Sequence, residues 1–195
     1  MMPNEPSHPS SKASETFAQS IRDAENLLAH FDKLNTKPPP PENEVLKRAG
    51  LIMAMTAWET YVEDRVLEAA AERLRTLEDA TIAAFVRSKL DDDLRRLHNP
   101  SSDKTIQLFK DYAGVDLTDK WHCNPLSAAD VRGRLNQYMK LRGDMVHRSP
   151  TVSSGPPKAH PITRDDLAKA IRFLKALVAS TEKELRVAQQ AANAI

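Results

Sequence analysis

The chain has 195 residues, of which 41% are hydrophobic and 28% are charged, and its formal net charge is +1 at pH 7. This length favours one domain with tails, and the balanced charge excludes a strongly basic or acidic protein, so any contact with nucleic acid requires a local patch. A single Cys excludes an internal disulfide framework and a Cys-based zinc module. No apolar run reaches the roughly 18 residues of a membrane span, and the Pro- and Ser-rich N-terminus is unlike a signal peptide, so we expect a cytoplasmic protein with no membrane contact.

Helices dominate the pattern along the chain. With five Gly and 5% aromatic residues, the composition favours helices over a β-sandwich or barrel. Residues 1–13 are predicted to be a disordered tail, because they contain too little apolar surface to offset the ordering entropy. Residues 14–195 are predicted to form one helical domain. Its first helix starts with Ser14 as N-cap, ends before the prolines at 38–41, and carries an apolar stripe at helical spacing. The stripe consists of Phe17, Ile21, Ala24, Leu28 and Phe31.

Turn-forming segments separate the remaining helices. These helices are predicted over residues 42–75, 79–97, 101–112 and 127–146, and from 163 towards the C-terminus. Ser101 or Ser102 is the candidate cap of the short helix, and Ser127-Ala-Ala-Asp130 and Thr163-Arg-Asp-Asp166 resemble capping boxes. The long helix either forms the spine of a bundle or bends at Gly50. Its predicted apolar face comprises Val45, Ala49, Ile52, Met53, Thr56, Tyr61, Val62, Val66 and Ala70. Five or six helices with short connections predict an all-α fold, a single antiparallel helical bundle.

A basic segment covers the end of the predicted fifth helix. Residues 131–148 contain five Lys or Arg and one acid, Asp144. The basic residues are Arg132, Arg134, Lys140, Arg142 and Arg148. Such an excess is large enough to contact several phosphates of RNA. The alternative is a solvated helix face whose cations are favoured by the negative end of the helix dipole.

Arg142 and His147 supply two groups that RNA cleavage requires. Histidine titrates near neutral pH and transfers protons, whereas arginine is permanently charged and binds two phosphate oxygens at once. Together they meet the needs of strand cleavage by the 2′-hydroxyl of the RNA. Five residues along a helix correspond to about 140° of rotation, so the two side chains do not share a face. They converge only if the helix ends or kinks near Gly143, or if a second subunit contributes.

Four segments resemble the RiboL-PSP-HEPN branch of the HEPN superfamily, a branch named for its association with RNA ligase and phosphatase domains. Arg142-x4-His147 resembles the R-x4-6-H motif of the superfamily. The others are Ala57-Trp-Glu-Thr-Tyr-Val-Glu63, Leu97-His-Asn-Pro-Ser-Ser102, and Gly114-Val-Asp116 followed by Trp121. The segments occur in the order expected of that branch and together cover about residues 45–150.

This resemblance implies a function as well as a fold. HEPN domains are helical bundles, and many are metal-independent endoribonucleases of toxin–antitoxin, abortive-infection and CRISPR systems. They act as two-fold dimers in which both R-x4-6-H motifs meet in a basic cleft. The resemblance therefore predicts a homodimeric endoribonuclease without metal or cofactor, a toxin or anti-phage defence component. Its expected partners are RNA and an antitoxin or defence-system protein.

The resemblance also assigns roles to individual residues. His147 is the candidate general acid or base, and Arg142 the candidate group that stabilises the transition-state phosphate. Asp144 is expected to orient one of them, while Glu59 and Glu63 are expected to hold Arg142 in a salt bridge. The alternative for the two glutamates is a pair of ordinary acids on an exposed helix face. The candidate RNA-binding residues are Arg132, Arg134, Lys140 and Arg148.

Two departures from the family pattern keep other functions open. Gly143 follows the arginine where the family often has a polar residue, and Arg148 follows the histidine where many members have Gly. The main alternative is a catalytically inactive HEPN module that binds RNA or a protein partner. A second is a plain helical scaffold in which the motif is coincidental.

Other polar and aromatic residues are given structural roles. Trp58 and Tyr61 are expected in the core or at a dimer contact, and His98 is expected to fix the turn before Pro100 or to reach the site. Cys123 has no base partner at a recognisable spacing, and the pair His122-Cys123 lacks further zinc ligands.

Overall fold

A computed structural model describes residues 10–34, 36, 40–75, 77–147 and 162–193. Six α-helices follow one another along the chain, and no strand forms among these residues. They are α1 (Lys12–Leu34), α2 (Glu44–Leu74), α3 (Ala80–Arg95), α4 (Ser102–Leu108), α5 (Ala128–His147) and α6 (Arg164–Asn193). A 3-10 turn (Pro41–Asn43) leads into α2, and a π-helical turn (Phe109–Ala113) continues α4. The predicted all-α helical bundle is confirmed. None of the described helices has the length and apolar content needed to cross a membrane.

The packing of α1 against α6 is antiparallel. Near the start of α1, the Ser11 hydroxyl donates to Glu182 in the second half of α6 over 2.9 Å. Near the end of α1, Asp32 pairs with Arg164 at the start of α6 at 2.7 Å. The two helices therefore run in opposite directions.

The packing of α2 against α6 is parallel. Gly50 near the start of α2 faces Leu167 near the start of α6, and a Cβ at Gly50 would lie 2.7 Å from a Leu167 methyl carbon. Further along, Arg65 of α2 pairs with Glu182 of α6 at 3.0 Å. The absence of a side chain at Gly50 thus lets α2 and α6 approach closely, and α2 continues as one α-helix through this position.

The N-terminus of α1 differs from the prediction. The Ser11 hydroxyl accepts a hydrogen bond from the Ser14 backbone N–H at 3.0 Å, so the cap lies three residues before Ser14. Ala13 is 1% exposed and belongs to the core. The helix thus begins within the segment expected to be a tail, because Ser11 and Ala13 are held by contacts with α6 and α2. Residues 1–9 of that segment lie outside the described residues.

The other predicted caps are confirmed. Ser101 caps α4 through a hydrogen bond from the Lys104 N–H. Ser127 and Asp130 form a reciprocal capping box, in which the Ser127 hydroxyl accepts from the Asp130 N–H at 3.2 Å and the Asp130 carboxylate accepts from the Ser127 N–H at 3.3 Å. Thr163 and Asp166 repeat this arrangement before α6. These local signals fix where α4, α5 and α6 begin.

The buried face of α2 departs from the spacing-based prediction in its first half. Val45 is 49% exposed and Thr56 is exposed, whereas Tyr61, Val62 and Val66 are buried as predicted. The buried residues that the prediction omitted include Leu51, Ala54, Met55 and Ala57. Because α2 packs against α1, α5 and α6 at once, its neighbours rather than a single apolar stripe decide which residues are covered.

A tryptophan pair joins the core to the turn before α4. Trp58 and Trp121 are both fully buried and meet edge to face, with ring centroids 6.3 Å apart. The Trp121 indole N–H donates to the Thr181 hydroxyl at 3.0 Å, and the Trp58 indole N–H donates to the Pro100 carbonyl at 3.2 Å. The core position predicted for Trp58 and Tyr61 is confirmed. Trp58 also anchors the turn before α4 through its hydrogen bond to Pro100.

Candidate functional site

Arg142 lies near the end of α5, where three elements meet. Its side chain is 21% exposed, and its Nη2 lies 3.2 Å from Oε2 of Glu59 on α2. Its Nη1 donates to the side-chain oxygen of Asn99, in the turn between α3 and α4. The guanidinium is thus held by one carboxylate and one amide, in a side chain that is only partly buried.

The turn that carries Asn99 is itself fixed from α2. Asn99 has a φ of 57°, in the left-handed region that asparagine tolerates better than most residues. Its backbone N–H donates to Oε1 of Glu59 at 3.2 Å. Each oxygen of Glu59 therefore has one partner, and Glu59, Asn99 and Arg142 close a ring of hydrogen bonds. We call these three residues the arginine cradle.

A second set of hydrogen bonds docks α4 onto α5 beside the cradle. The Ser102 backbone N–H donates to the side-chain oxygen of Asn136 at 2.9 Å, and the Asn136 amide donates back to the Ser102 hydroxyl at 2.9 Å. This reciprocal pair fixes the position of α5 along its axis relative to the turn before α4. It thereby places Arg142 within reach of Asn99.

Of the two glutamates expected to hold Arg142, Glu59 alone forms an ion pair with it among the described residues. Glu59 pairs with Arg142, and its side chain is 19% exposed, so it is not an acid on a solvated face. Glu63 lies one turn further along α2 and forms no ion pair with Arg142 among the described residues. Burial raises the pKa of Glu63, the negative charges of Glu59 and Asp64 add to the rise, and His98 opposes it. Glu63 and His98 therefore border the cradle without closing it.

The remaining part of the R-x4-H motif follows on α5. The helix continues through Gly143 to His147, so it does not end at Gly143 as one alternative required. A Cβ at Gly143 would meet nothing within 4 Å, which leaves room there for the polar side chain common in the family pattern. Asp144 is half-buried. On an α-helix, position 147 lies about 140° around from position 142. The side chain of His147 lies outside the part of the chain that the structure describes.

The predicted RNA-binding residues divide by their surroundings. Arg134 and Lys140 are exposed on α5. The Arg132 guanidinium instead donates to the Thr118 carbonyl and lies 3.3 Å from Asp119, which directs it to the loop before α5. Arg148 lies outside the described residues.

The sequence reasoning did not assign two residues to the site: Asn99, which accepts from Arg142, and Asn136, which ties α5 to the start of α4. The Asn99-Pro100 dipeptide is a turn signal, and it was the available indication that a fixed backbone precedes α4. No spacing rule indicates that this turn meets α5, because Asn99 and Arg142 are 43 residues apart. Asn136 carried no signal beyond its polarity on a helix.

Cys123 and His122 show no arrangement of a catalytic or metal site. Cys123 is buried, and burial raises the pKa of its thiol, which disfavours the thiolate needed for nucleophilic attack. Across the described part of the chain, no group of three or more His, Cys, Asp or Glu side chains is clustered closely enough to hold a metal ion.

Comparison with known proteins gives one family. The model of the family described as RiboL-PSP-HEPN matches residues 19–186, a span that includes all four segments on which the resemblance rested. The resemblance stated from the sequence is therefore confirmed. No curated protein and no solved structure matches the chain.

Proposed function

The chain belongs to the RiboL-PSP-HEPN family, and on that premise we propose that it is an endoribonuclease that needs no metal ion and cleaves RNA by attack of the 2′-hydroxyl on the adjacent phosphorus. The observation that carries the proposal is the arginine cradle. It joins residues from three of the family's four segments, which lie far apart in sequence, around one half-open guanidinium.

Arg142 is suited to stabilise charge on a phosphate in the transition state. Glu59 and Asn99 each take one hydrogen bond from its terminal nitrogens, and each of these nitrogens keeps a second N–H. A guanidinium fixed in this way loses little side-chain freedom when it binds a phosphate. Pre-organised donors of this kind contribute most when they point to where charge develops.

His147 is the proposed proton-transfer group, and it enters the site from a second copy of the chain. The 140° between positions 142 and 147 argues against one copy using both residues on the same phosphate. In a two-fold dimer, Arg142 of one copy and His147 of the other meet in one cleft. Mixing Arg142→Ala with His147→Ala then restores activity, because a mixed dimer has one complete site. If the site lies within a single chain, the mixture stays as inactive as its components.

The test of the function is RNA cleavage in EDTA, with bulk tRNA and a long single-stranded transcript as substrates. Wild type is compared with Arg142→Ala and His147→Ala. Matched controls are Arg95→Ala, on a 78% exposed arginine of α3, and His30→Ala, on an exposed histidine of α1. We expect wild type and both controls to cleave and the two site variants to be inactive, with all proteins equally folded by circular dichroism. Equal cleavage by all five proteins would overturn the assignment.

A second function is favoured by one observation. The Arg142 guanidinium already pairs with Glu59, which offsets part of its charge before any phosphate arrives. A catalytically inactive module that binds RNA or a protein partner would use the same surface. Binding requires less uncompensated charge on Arg142 than stabilisation of a transition state does. That reading predicts RNA binding by the wild type in a mobility-shift assay, with no cleavage on either substrate.

The biological setting proposed for this activity is that of a toxin or anti-phage defence component, with an antitoxin or defence-system protein as partner. It is supported by the systems in which many HEPN ribonucleases occur. Induced expression in a bacterial host tests it. Wild type should arrest growth and Arg142→Ala should not, whereas equal growth at equal protein levels would contradict the proposal.

A further inference from the structure

Cleavage of RNA by its 2′-hydroxyl needs two proton transfers. One group removes the proton of the 2′-hydroxyl as its oxygen attacks phosphorus, and a second group gives a proton to the 5′-oxygen that leaves. The R-x4-H motif contains one histidine per chain. The structure therefore has to provide a second proton-transfer group, either from the partner copy or from elsewhere in the same chain.

His98 lies directly beside the arginine cradle. It precedes Asn99, the residue that accepts from Arg142 and donates to Glu59. Its backbone is held on both sides, since its N–H donates to the Arg96 carbonyl at 2.9 Å and its carbonyl accepts from the Lys104 ammonium at 2.7 Å. The position of the residue is thus fixed relative to Arg142.

The imidazole of His98 is left without a structural task. The residue is exposed, and no described residue forms a hydrogen bond with its ring. A turn needs only the backbone of this residue, so the side chain is free to act on a ligand. The sequence analysis expected His98 to fix the turn before Pro100. In the structure, the backbone atoms of His98 form the hydrogen bonds that do so.

An acidic side chain of α2 lies near His98. Glu63 faces the same region from α2, and its electrostatic interaction with His98 opposes the rise in the Glu63 pKa that is caused first by burial and then by Glu59 and Asp64. A histidine beside a carboxylate is a residue type that can transfer a proton to a leaving oxygen. The basic groups closest to His98 in sequence are Arg96 and Lys104.

We infer that His98 is a further catalytic residue, the general acid that protonates the leaving 5′-oxygen. In this step the 2′-oxygen forms a bond to phosphorus and loses its proton to His147. The bond between phosphorus and the 5′-oxygen breaks, and that oxygen takes the Nδ1 or Nε2 proton of the His98 imidazolium. The products are a 2′,3′-cyclic phosphate and a 5′-hydroxyl, and no oxidant or metal is consumed. This inference rests on the proposed function.

The test replaces the leaving oxygen. Wild type first defines a cleaved bond, and the same RNA is then made with sulfur in place of the 5′-bridging oxygen at that bond. A thiolate leaves without being protonated, so a variant that lacks only the general acid cleaves the sulfur substrate normally. The variant is His98→Gln, its matched control is His30→Gln, and His147→Gln is the comparison for the base.

We expect His98→Gln to cleave ordinary RNA at least about 100-fold more slowly than wild type, the lower bound for a lost general acid, and to cleave the sulfur substrate at the wild-type rate. His147→Gln should be slow on both substrates, and His30→Gln should be normal on both. An active wild type with His98→Gln unimpaired on RNA overturns the inference alone. A His98→Gln variant that is slow on both substrates also overturns it, since a structural role would have that effect. An inert wild type overturns the proposed function, and the inference with it.

Discussion

Two arginine–glutamate pairs, each with one residue on α2, show how the same kind of contact can have different roles. Arg65 pairs with Glu182 at 3.0 Å, and Glu59 pairs with Arg142 at 3.2 Å. In the first pair the side chains are 5% and 13% exposed, and in the second they are 19% and 21% exposed. The distances are similar, so the difference lies in what surrounds each guanidinium.

The inner pair is closed by other side chains of the core. Oε1 of Glu182 also accepts from the Tyr61 hydroxyl at 2.8 Å and from the Ser11 hydroxyl at 2.9 Å. Burial and the charge of Glu182 raise the pKa of Tyr61 well above its usual value, so the phenol stays a donor. This cluster therefore ties together the N-terminus of α1, α2 and α6.

The outer pair is closed on one side only. Glu59 and Asn99 hold Arg142 from α2 and the turn before α4, while the Arg142 side chain as a whole stays 21% exposed. An arginine that is fully enclosed stabilises the bundle, whereas one that is fixed but half open can bind an anion. The comparison thus separates Arg65, an enclosed structural arginine of α2, from Arg142 of α5, the proposed phosphate-binding residue.

The largest expected effect comes from breaking the inner pair. Glu182→Ala leaves the buried Arg65 with only the longer ion pair to Glu68, at 3.8 Å, and Tyr61 without its acceptor, and losing one partner of a buried pair costs about 3–5 kcal/mol. Urea unfolding followed by circular dichroism measures the loss. A loss below about 1 kcal/mol would show that the two clusters do not differ in the way described.

Breaking the outer pair at the arginine should affect activity rather than stability. Arg142→Ala is expected to lower kcat on RNA by about 10²–10³-fold, as loss of a pre-organised transition-state donor does. Its free energy of unfolding should change by no more than about 1 kcal/mol, because Glu59 can be solvated. Steady-state cleavage rates and urea unfolding of the same preparation test both parts. A variant that is fully active, or one that loses several kcal/mol, would contradict the comparison.

Removing the charge of Glu59 should give a smaller effect. Glu59→Gln keeps an oxygen for Asn99 or Arg142 but loses the ionic component, which for a half-open pair amounts to about 1 kcal/mol. Urea unfolding at low and high salt measures it, and the difference from wild type should shrink as salt rises. If the difference in the free energy of unfolding does not depend on salt, the interaction between Glu59 and Arg142 is not electrostatic.

The smallest effect concerns the pH dependence of stability at Glu63. Because the pKa of Glu63 is raised above its usual value of 4.5, the folded state binds the proton more tightly than the unfolded state. The resulting stabilisation is present below pH 4.5 and is lost as the pH rises through the folded-state pKa. Glu63→Gln should remove this dependence and leave the protein slightly more stable than wild type at pH 7, by less than about 1 kcal/mol. Thermal unfolding from pH 4 to pH 7 tests the sign, and a variant that is less stable at pH 7 would contradict it.

The fold followed from periodicity where a helix has one buried face. The stripe on α1 is buried at Phe17, Ile21 and Phe31, and the start of α6 is buried at Leu167 and Ile171. The pattern failed on α2, because a helix covered by three neighbours has no single apolar stripe. It also missed the start of α1, because Ser11 is held by Glu182, a contact across 171 residues.

The site followed from sequence only in part. Arg142 and Glu59 were found because a family motif and an acidic segment on the long helix pointed to them. Asn99 was not, since its contribution depends on a left-handed turn that meets α5 in three dimensions. Short motifs can therefore name the charged groups, but the neutral amides that position them emerge only from the packing of α4 against α5.

The most direct test of the central claim is the chemistry of the cleaved ends. Purified wild type and Arg142→Ala are incubated with RNA in EDTA, and the product termini are identified by mass spectrometry. Attack by the 2′-hydroxyl predicts 2′,3′-cyclic phosphate or 3′-phosphate ends opposite 5′-hydroxyl ends, formed by wild type and not by the variant. Ends with 3′-hydroxyl and 5′-phosphate groups, or no cleavage of any RNA by the folded wild type, would contradict the claim.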